Sequence, residues 1–376
     1  MNLPTLYLKR PVFIILLIGI FFVGVALGYF SLKLSGIFIQ NNRTSSNNEQ
    51  FSPPADFDPN APFNVLLLGY GGAGHDGGTL SDTIIVANID PKNKKLSLIS
   101  VPRDLWVPIP SDWENSQNYK INMAYAIGLD NTRYANKKPE FRGEGGGGEL
   151  AKYTVGKVTG LPIKYFLAVN FDGFKSVIDI LEGIDVSVPK TFDDFFYPVK
   201  GLENETCGLS PEKIAEVHAK YTGFDLEKQF TCRYEHLHFD KGVSHMDGET
   251  ALKFVRSRHS DTYGGDFSRS ERQYALLTGI KDKIVSLKGA KNFDPILDSL
   301  IGSVRTDLDK NGVRGILTLI PNPKDYAIST IHLNEENVLI QSTGSGGQYI
   351  LIPKEGINKW EQVQKYISNE LSTEKE

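Results

Sequence analysis

Apolar and polar positions fall into two regimes along the chain. From Val12 to Phe30 no residue is charged and no polar face interrupts the run. Those roughly 19 residues, at about 1.5 Å of rise each, make about 28 Å of helix, close to the hydrocarbon thickness of a bilayer. The pattern therefore predicts a membrane-spanning helix over residues 11–32. The run is longer than a signal-peptide core, and Leu32-Lys33-Leu34 offers no small-residue cleavage site, so the segment is expected to stay as an anchor. Lys9 and Arg10 precede it, and only Lys33 follows closely. The positive-inside rule then leaves residues 1–10 in the cytoplasm and places the rest beyond the cell membrane. Residues 33–61 include an Asn/Ser/Pro-rich stretch, Asn41 to Asn60, that reads as an extracytoplasmic stalk.

From residue 62 onward short apolar runs alternate with helical periods. Asn64–Gly69, Thr83–Asn88 and Lys95–Ser100 read as strands, the last two forming a hairpin across Asp90–Lys94. Tyr165–Asn170 is a further strand. After it Phe174, Val177, Ile178 and Leu181 recur at helical spacing, with Asp172 as the expected cap and Gly183 as the stop. A strand at Asp185–Val188 follows, then helices at Asp247–Arg258 and Ser268–Leu287, a strand at Tyr349–Ile352 and a last helix at Lys359–Leu371. This alternation predicts an α/β fold, a layered α-β-α domain around a central mixed sheet. The domain is expected over 62–306, with 307–376 as its C-terminal part and a charged tail. Residues 111–148 and 195–240 break the alternation and read as peripheral excursions.

Composition removes several classes. The 376 residues are 40% hydrophobic and 23% charged, which excludes a disordered chain, a collagen and a coiled coil. A net charge of −4 argues against a nucleic-acid partner, so any anion site must be local. Gly69-Tyr-Gly71-Gly-Ala-Gly74 matches the dinucleotide fingerprint but leads into a strand, leaving no helix N-terminus for a pyrophosphate. Neither a P-loop nor a G-x-S-x-G nucleophile elbow is present.

What chemistry remains sits at sheet ends and one helix start. Ser81-Asp82-Thr83 places a carboxylate at a strand mouth, where it can meet a hard cation or simply form an Asx-turn. Pro102-Arg103-Asp104 closes the hairpin at the same end. Arg256-Ser-Arg258 ends one helix, and Ser268 with Glu271 reads as a capping box opening the next, which brings Arg269, Arg272 and Gln273 to a helix N-terminus. Such a cluster is either a solvated basic face or a phosphate site, and the net negative charge favours the phosphate site. Cys207 and Cys232 read as a disulfide in an oxidising compartment, with a zinc site using His236 and His238, or free thiols, as the other readings.

Taken in order, the span, Asn64–Gly69, Ser81–Thr83, Val101–Asp104, Lys120–Tyr125, Asn170–Phe174, Gly183–Val186, His245–Arg258 and Asp266–Gln273 resemble the LytR-CpsA-Psr family from about residue 64 to 290. The resemblance implies an outward-facing phosphotransferase. Such an enzyme moves a glycopolymer, of teichoic acid or capsular polysaccharide type, from a polyprenyl-pyrophosphate carrier onto peptidoglycan, with magnesium (or manganese) as cofactor. It implies Asp82 as the metal-associated carboxylate. Arg103, Lys120, Arg256, Arg258, Arg269 and Gln273 match pyrophosphate-binding and catalytic positions, Arg272 stands beside them, and Asp104 or Asp82 is expected to serve the acceptor hydroxyl. Where the family shows Asp and Arg in the loop after the first strand and Arg before Ser-Asp-Thr, this chain has Tyr70–Gly78 and Leu80. Asp76 is the expected replacement for the carboxylate and His75 a donor to phosphate. An apolar slot for the carrier is expected against the helix Asp172–Leu181 and one starting at Glu149.

Overall fold

The computed structural model describes residues 61–75, 77–287, 293–309, 312–313, 316 and 325–373. The expected cytoplasmic segment, spanning helix and stalk up to residue 60, Asp76 and the last three residues of the tail lie outside the described residues.

A six-stranded mixed sheet organises the molecule. Its strands are β1 (Phe63–Tyr70), β2 (Ser81–Asp90), β3 (Lys95–Ser100), β6 (Ile163–Asn170), β11 (Arg305–Thr306) and β12 (Ala327–His332), in the order β11-β6-β1-β2-β3-β12. β1 runs parallel to β6 and antiparallel to β2, and β3 runs parallel to β12. The predicted hairpin is β2–β3, in register from Asp90↔Lys95 to Ile85↔Ser100. Side chains alternate across the sheet with period two. Leu66, Leu68, Ile84, Val86 and Ile99 enter one core, while Val65, Ile85, Ala87 and Leu98 enter another on the opposite face. Both faces must therefore be covered, and helices cover them.

On the first face lie α1 (Met123–Leu129), α2 (Gly146–Thr159) and α9 (Glu361–Ser372), joined by the small hairpin of β4 (Trp106–Ile109) and β5 (Gln117–Lys120) and by the antiparallel pair β13 (Leu339–Thr343) and β14 (Tyr349–Pro353). The 111–148 stretch is thus not a peripheral excursion. Ile121, Tyr125, Ile127 and Phe141 are buried in the main core, because the glycine run 145–148 lets α2 pack against α1 at backbone contact. The buried Lys137 ammonium satisfies three carbonyls around the end of α1, those of Ile127, Gly128 and Asp130, at 2.5, 2.8 and 3.1 Å.

The second face carries α3 (Phe171–Ile180), α6 (Gly248–Arg256), α7 (Gly265–Leu287) and α8 (Phe293–Gly302). Beside them lie the strand pairs β7 (Ile184–Val188) with β10 (Gly242–Met246), and β8 (Phe192–Pro198) with β9 (Tyr234–Phe239). Two starts differ from the sequence reading. α3 is capped by Asn170, whose Oδ1 accepts from the Gly173 amide at 2.7 Å, rather than by the exposed Asp172. α7 begins at Gly265, three residues before Ser268, and the Glu271 carboxylate is taken by the Tyr263 hydroxyl instead of closing a capping box. Asp247 does cap α6, accepting from Thr250 N at 2.8 Å.

The excursion at 195–240 carries α4 (Pro211–Lys220) and α5 (Gly223–Glu227) and is closed by a Cys207–Cys232 disulfide with 5.5 Å between Cα atoms. The zinc alternative falls with it, since both sulfurs are bonded to each other and His236 and His238 share Asp193 Oδ1 at 2.7 and 2.8 Å.

Candidate functional site

β1 and β6 end, and β2 begins, at one edge of the sheet, so Gly69, Tyr70, Asn170, Asp82 and Thr83 gather there, joined by Arg103 just past the end of β3. This is the edge at which open α/β sheets present ligand sites. The glycine loop after β1 folds back on itself: Gly72 N donates to Gly78 O at 2.7 Å, and a Cβ on Gly78 would stand 2.2 Å from Gly72 O. Only glycine fits that closure.

A cavity of about 760 Å³ opens from this edge, and its lining changes character along α7. Arg269, Gln273, Leu276, Leu277, Ile280 and Ile284 all face it, so one helix face runs from charge to hydrocarbon over about 22 Å. The polar end takes Asp82, Arg103, Arg256, Arg258 and His75, while Phe174 and Val177 of α3 and Leu297, Leu300 and Ile301 of α8 add to the apolar part. Of the two walls expected from sequence, α3 is one; α2 lies on the opposite face of the sheet and contributes nothing to the lining.

Each charged group has a definite setting. Arg103 reaches Asp82 Oδ1 at 2.5 Å and Asp104 Oδ2 at 3.5 Å, and Lys120 holds Asp104 Oδ1 at 2.5 Å. Asp104 and Lys120 stand behind Arg103 and do not line the cavity. Arg256 lies over the Phe171 ring at 4.2 Å and donates to the Tyr197 hydroxyl at 3.1 Å; among the described residues it meets no carboxylate. Gln273 donates to Thr83 Oγ1 at 3.1 Å, tying α7 to the mouth of β2. His75 packs edge-on against Phe171 at 5.0 Å, and burial, then the charges of Lys200 and Arg256, pull its pKa below the ordinary imidazole value.

Arg272 is placed elsewhere. It is fully buried, donates to the carbonyls of Tyr263 and Ser257 and lies between the Phe192 and Tyr263 rings. Burial pushes its pKa down to about 10. Its side chain holds the α6–α7 connection and does not line the cavity, which corrects its expected place beside a phosphate. One turn of helix separates the two roles: Arg269 faces the cavity and Arg272 the core.

Asp194 is the residue that sequence reading missed. It is 1% exposed and accepts from Ser257 Oγ at 2.7 Å, Arg258 N at 3.0 Å, His259 N at 3.1 Å and Phe196 N at 2.9 Å. Burial raises its pKa, but those four donors outweigh burial and hold the carboxyl below its ordinary range. An anion fixed there sets the course of the 257–259 loop and hence the place of Arg258. Its only sequence signal is the pair Asp193-Asp194 within an otherwise aromatic strand.

Four arginines, Arg103, Arg256, Arg258 and Arg269, stand at the head of a long apolar slot. The chain belongs to the LytR-CpsA-Psr family, whose model, described as LytR_cpsA_psr, matches residues 29–365. It is 28% identical over 318 residues to the polyisoprenyl-teichoic acid–peptidoglycan teichoic acid transferase TagU of Enterococcus faecalis, covering 83% of this chain and 80% of that one. It is 31% identical over 250 residues to TagV of Bacillus subtilis, a transferase of the same description, covering 66% of this chain and half the length of that relative. The crystal structure of B. subtilis TagV shares the fold at a TM-score of 0.54 and 26% identity, over 84% of this chain and 99% of that one. A structure of TagT bound to LI-WTA shares the fold alone, with a TM-score of 0.51 and 23% identity over 85% of this chain and 95% of that one.

Proposed function

We propose that this chain is a membrane-anchored phosphotransferase that attaches a polyprenyl-pyrophosphate-linked glycopolymer, of the teichoic acid type named for its relatives, to peptidoglycan. The observation that carries the reading is the graded face of α7, with Arg269 and Gln273 at one end and Ile280 and Ile284 at the other, lining one cavity. A pyrophosphate esterified to a long isoprenoid has the same grading. Arg256, Arg258, Arg269 and Arg103 neutralise the pyrophosphate, and the slot takes the first isoprene units out of water.

The acceptor hydroxyl oxygen then attacks the phosphorus that carries the glycan. A phosphodiester to peptidoglycan forms, the bridging P–O bond breaks, and polyprenyl phosphate leaves with its negative charge among the arginines. The hydroxyl proton passes to Asp82; Asp194 also lines the cavity, but its oxygens are already taken by four donors. Asp104, tied to Arg103 and Lys120, acts by holding Arg103 in place.

Asp82 would be the protein oxygen beside a magnesium ion, which would otherwise be held by substrate phosphates and water. When bound it supplies further neutralisation of the charge on the transferred phosphoryl group. The anchor at 11–32 and the outward orientation rest on the uncharged run and its Lys9-Arg10 flank. The disulfide supports the same side of the membrane, since such bonds persist in oxidising compartments.

Incubating the full chain in detergent with a lipid-linked glycopolymer, Mg²⁺ and peptidoglycan tests the reaction. Glycan should become covalently attached to peptidoglycan while polyprenyl phosphate is released. Release of glycan to water alone would make the protein a hydrolase, and binding without turnover would make it a non-catalytic receptor; either result removes the transferase reading.

A further inference from the structure

Strand β8 is not regular. Its pairing with β9 slips between Asp194 and Tyr197, where a bulge interrupts the register. In a regular strand two residues three apart point to opposite faces. Here Asp194 and Tyr197 are both buried, at 1% and 5% exposure, while Phe195 next to Asp194 is left outside at 56%. The slip turns Tyr197 inward, and both residues line the cavity. The oxygens of Asp194 are taken by the 257–259 loop and by Phe196 N. Tyr197 is therefore the side chain through which β8 can meet a ligand.

The phenol oxygen of Tyr197 accepts from Arg256 Nη1 at 3.1 Å. Phe171 lies under the same guanidinium at 4.2 Å, so a ring and a hydroxyl, both neutral, hold Arg256. Accepting from the guanidinium leaves Tyr197 one proton to give, and among the described residues no group takes it. Burial raises the Tyr197 pKa more than the Arg256 charge lowers it, so the hydroxyl stays protonated. A hydroxyl that accepts from a cation is polarised, which strengthens its own donation. A buried donor without an acceptor is costly, and an oxygen-rich anion in the cavity removes that cost.

We infer that Tyr197 binds substrate directly, donating its phenolic proton to an oxygen of the pyrophosphate that Arg256 contacts. The inference rests on the proposed function, because it takes the anion among the arginines to be a pyrophosphate. Arg256 and Tyr197 then act as one unit with two donors, a charged N–H and a neutral O–H. The O–H bond requires an anionic oxygen, so it serves the head of the lipid and is indifferent to the isoprenoid behind it.

Binding of farnesyl pyrophosphate and of farnesol to the full chain in detergent tests this, with Tyr197→Phe, Arg256→Met and the double variant. Tyr197→Phe keeps the ring against its neighbours. It should weaken farnesyl pyrophosphate about tenfold and leave farnesol unchanged. In the Arg256→Met background the same substitution should still weaken farnesyl pyrophosphate, by a smaller factor because the hydroxyl is no longer polarised. If the effect vanishes in that background, Tyr197 acts only by holding Arg256. Equal weakening of both lipids would mean that it only props the wall, and no change in either would mean that its proton points away from the anion. Each of these three results overturns the inference. Failure of the unaltered protein to bind farnesyl pyrophosphate more tightly than farnesol would instead strike the proposed function itself.

Discussion

Arg269 and Arg272 are the same residue type one helical turn apart, and the structure assigns them opposite work. Arg269→Ala should leave the unfolding transition nearly unchanged and weaken pyrophosphate binding by about 1.5–3 kcal/mol, the scale of a charge-assisted hydrogen bond. Arg272→Met should do the reverse. It strands the Tyr263 and Ser257 carbonyls and should cost roughly 2–4 kcal/mol of stability, read as a lower urea midpoint, with pyrophosphate affinity changed far less in the protein that remains folded. Equal effects on both quantities in both variants would erase the distinction. Sequence shows that arginines cluster here. Which of them is buried depends on where α7 begins, and the reading from Ser268 placed that start three residues late.

Asp194 makes a pH prediction with a definite sign. Its carboxyl titrates below the ordinary carboxylate value when folded, so its contribution is fully present above about pH 4 and is lost as pH falls through the lowered native value. Urea midpoints measured from pH 7 down to pH 3 should therefore fall more steeply for the unaltered chain than for Asp194→Asn. At neutral pH Asp194→Ala should cost about 3 kcal/mol, because buried amide and hydroxyl donors lose their acceptor. A midpoint independent of this substitution would remove the account of the 257–259 loop. No periodicity in the sequence could single out Asp194, since its meaning comes from donors more than 60 residues away.

At the scale of elements, four of the six strands of the central sheet, β1, β2, β3 and β6, were legible, and so were the helices α3, α6, α7 and α9. Strands of six to ten residues rich in apolar positions have few other uses; β11 and β12 were not read. The 111–148 stretch was not, because glycine is a poor helix former and yet Gly146–Gly148 open α2. Contact distance overrides propensity there. A Cβ on Gly128 would stand 2.3 Å from Gly146 O, and one on Gly148 would stand 2.1 Å from the Phe166 ring. Gly128→Ala should therefore destabilise by about 1–3 kcal/mol despite alanine's better helix propensity, as backbone must move to admit the methyl group. A gain in melting temperature would show that α1 and α2 are not packed this closely. The same limit hid the slot's second wall: α8 was not read from sequence, and α2 was assigned to the slot although it covers the other face.

For the whole molecule, the decisive feature is a division of labour across the sheet. One face, with α1, α2 and α9, is closed core, while the other opens between α3, α7 and α8 into the cavity. The candidate residues were legible as a set because arginines gathered about one helix start suggest a local anion site in a chain of net charge −4. Their common destination was legible only in part, since it depends on how the strand ends register. The central claim is that this cavity binds a prenyl pyrophosphate by both of its ends. It is tested most directly by the affinity of the full chain for a series of pyrophosphates whose isoprenoid lengthens one unit at a time. Affinity should rise with each unit until the slot is full and then level off, at about 25 cal/mol per Å² of apolar surface buried, while Arg258→Ala lowers every member by the same factor. An affinity that does not change with prenyl length would contradict the account, leaving an anion site with no role for the slot.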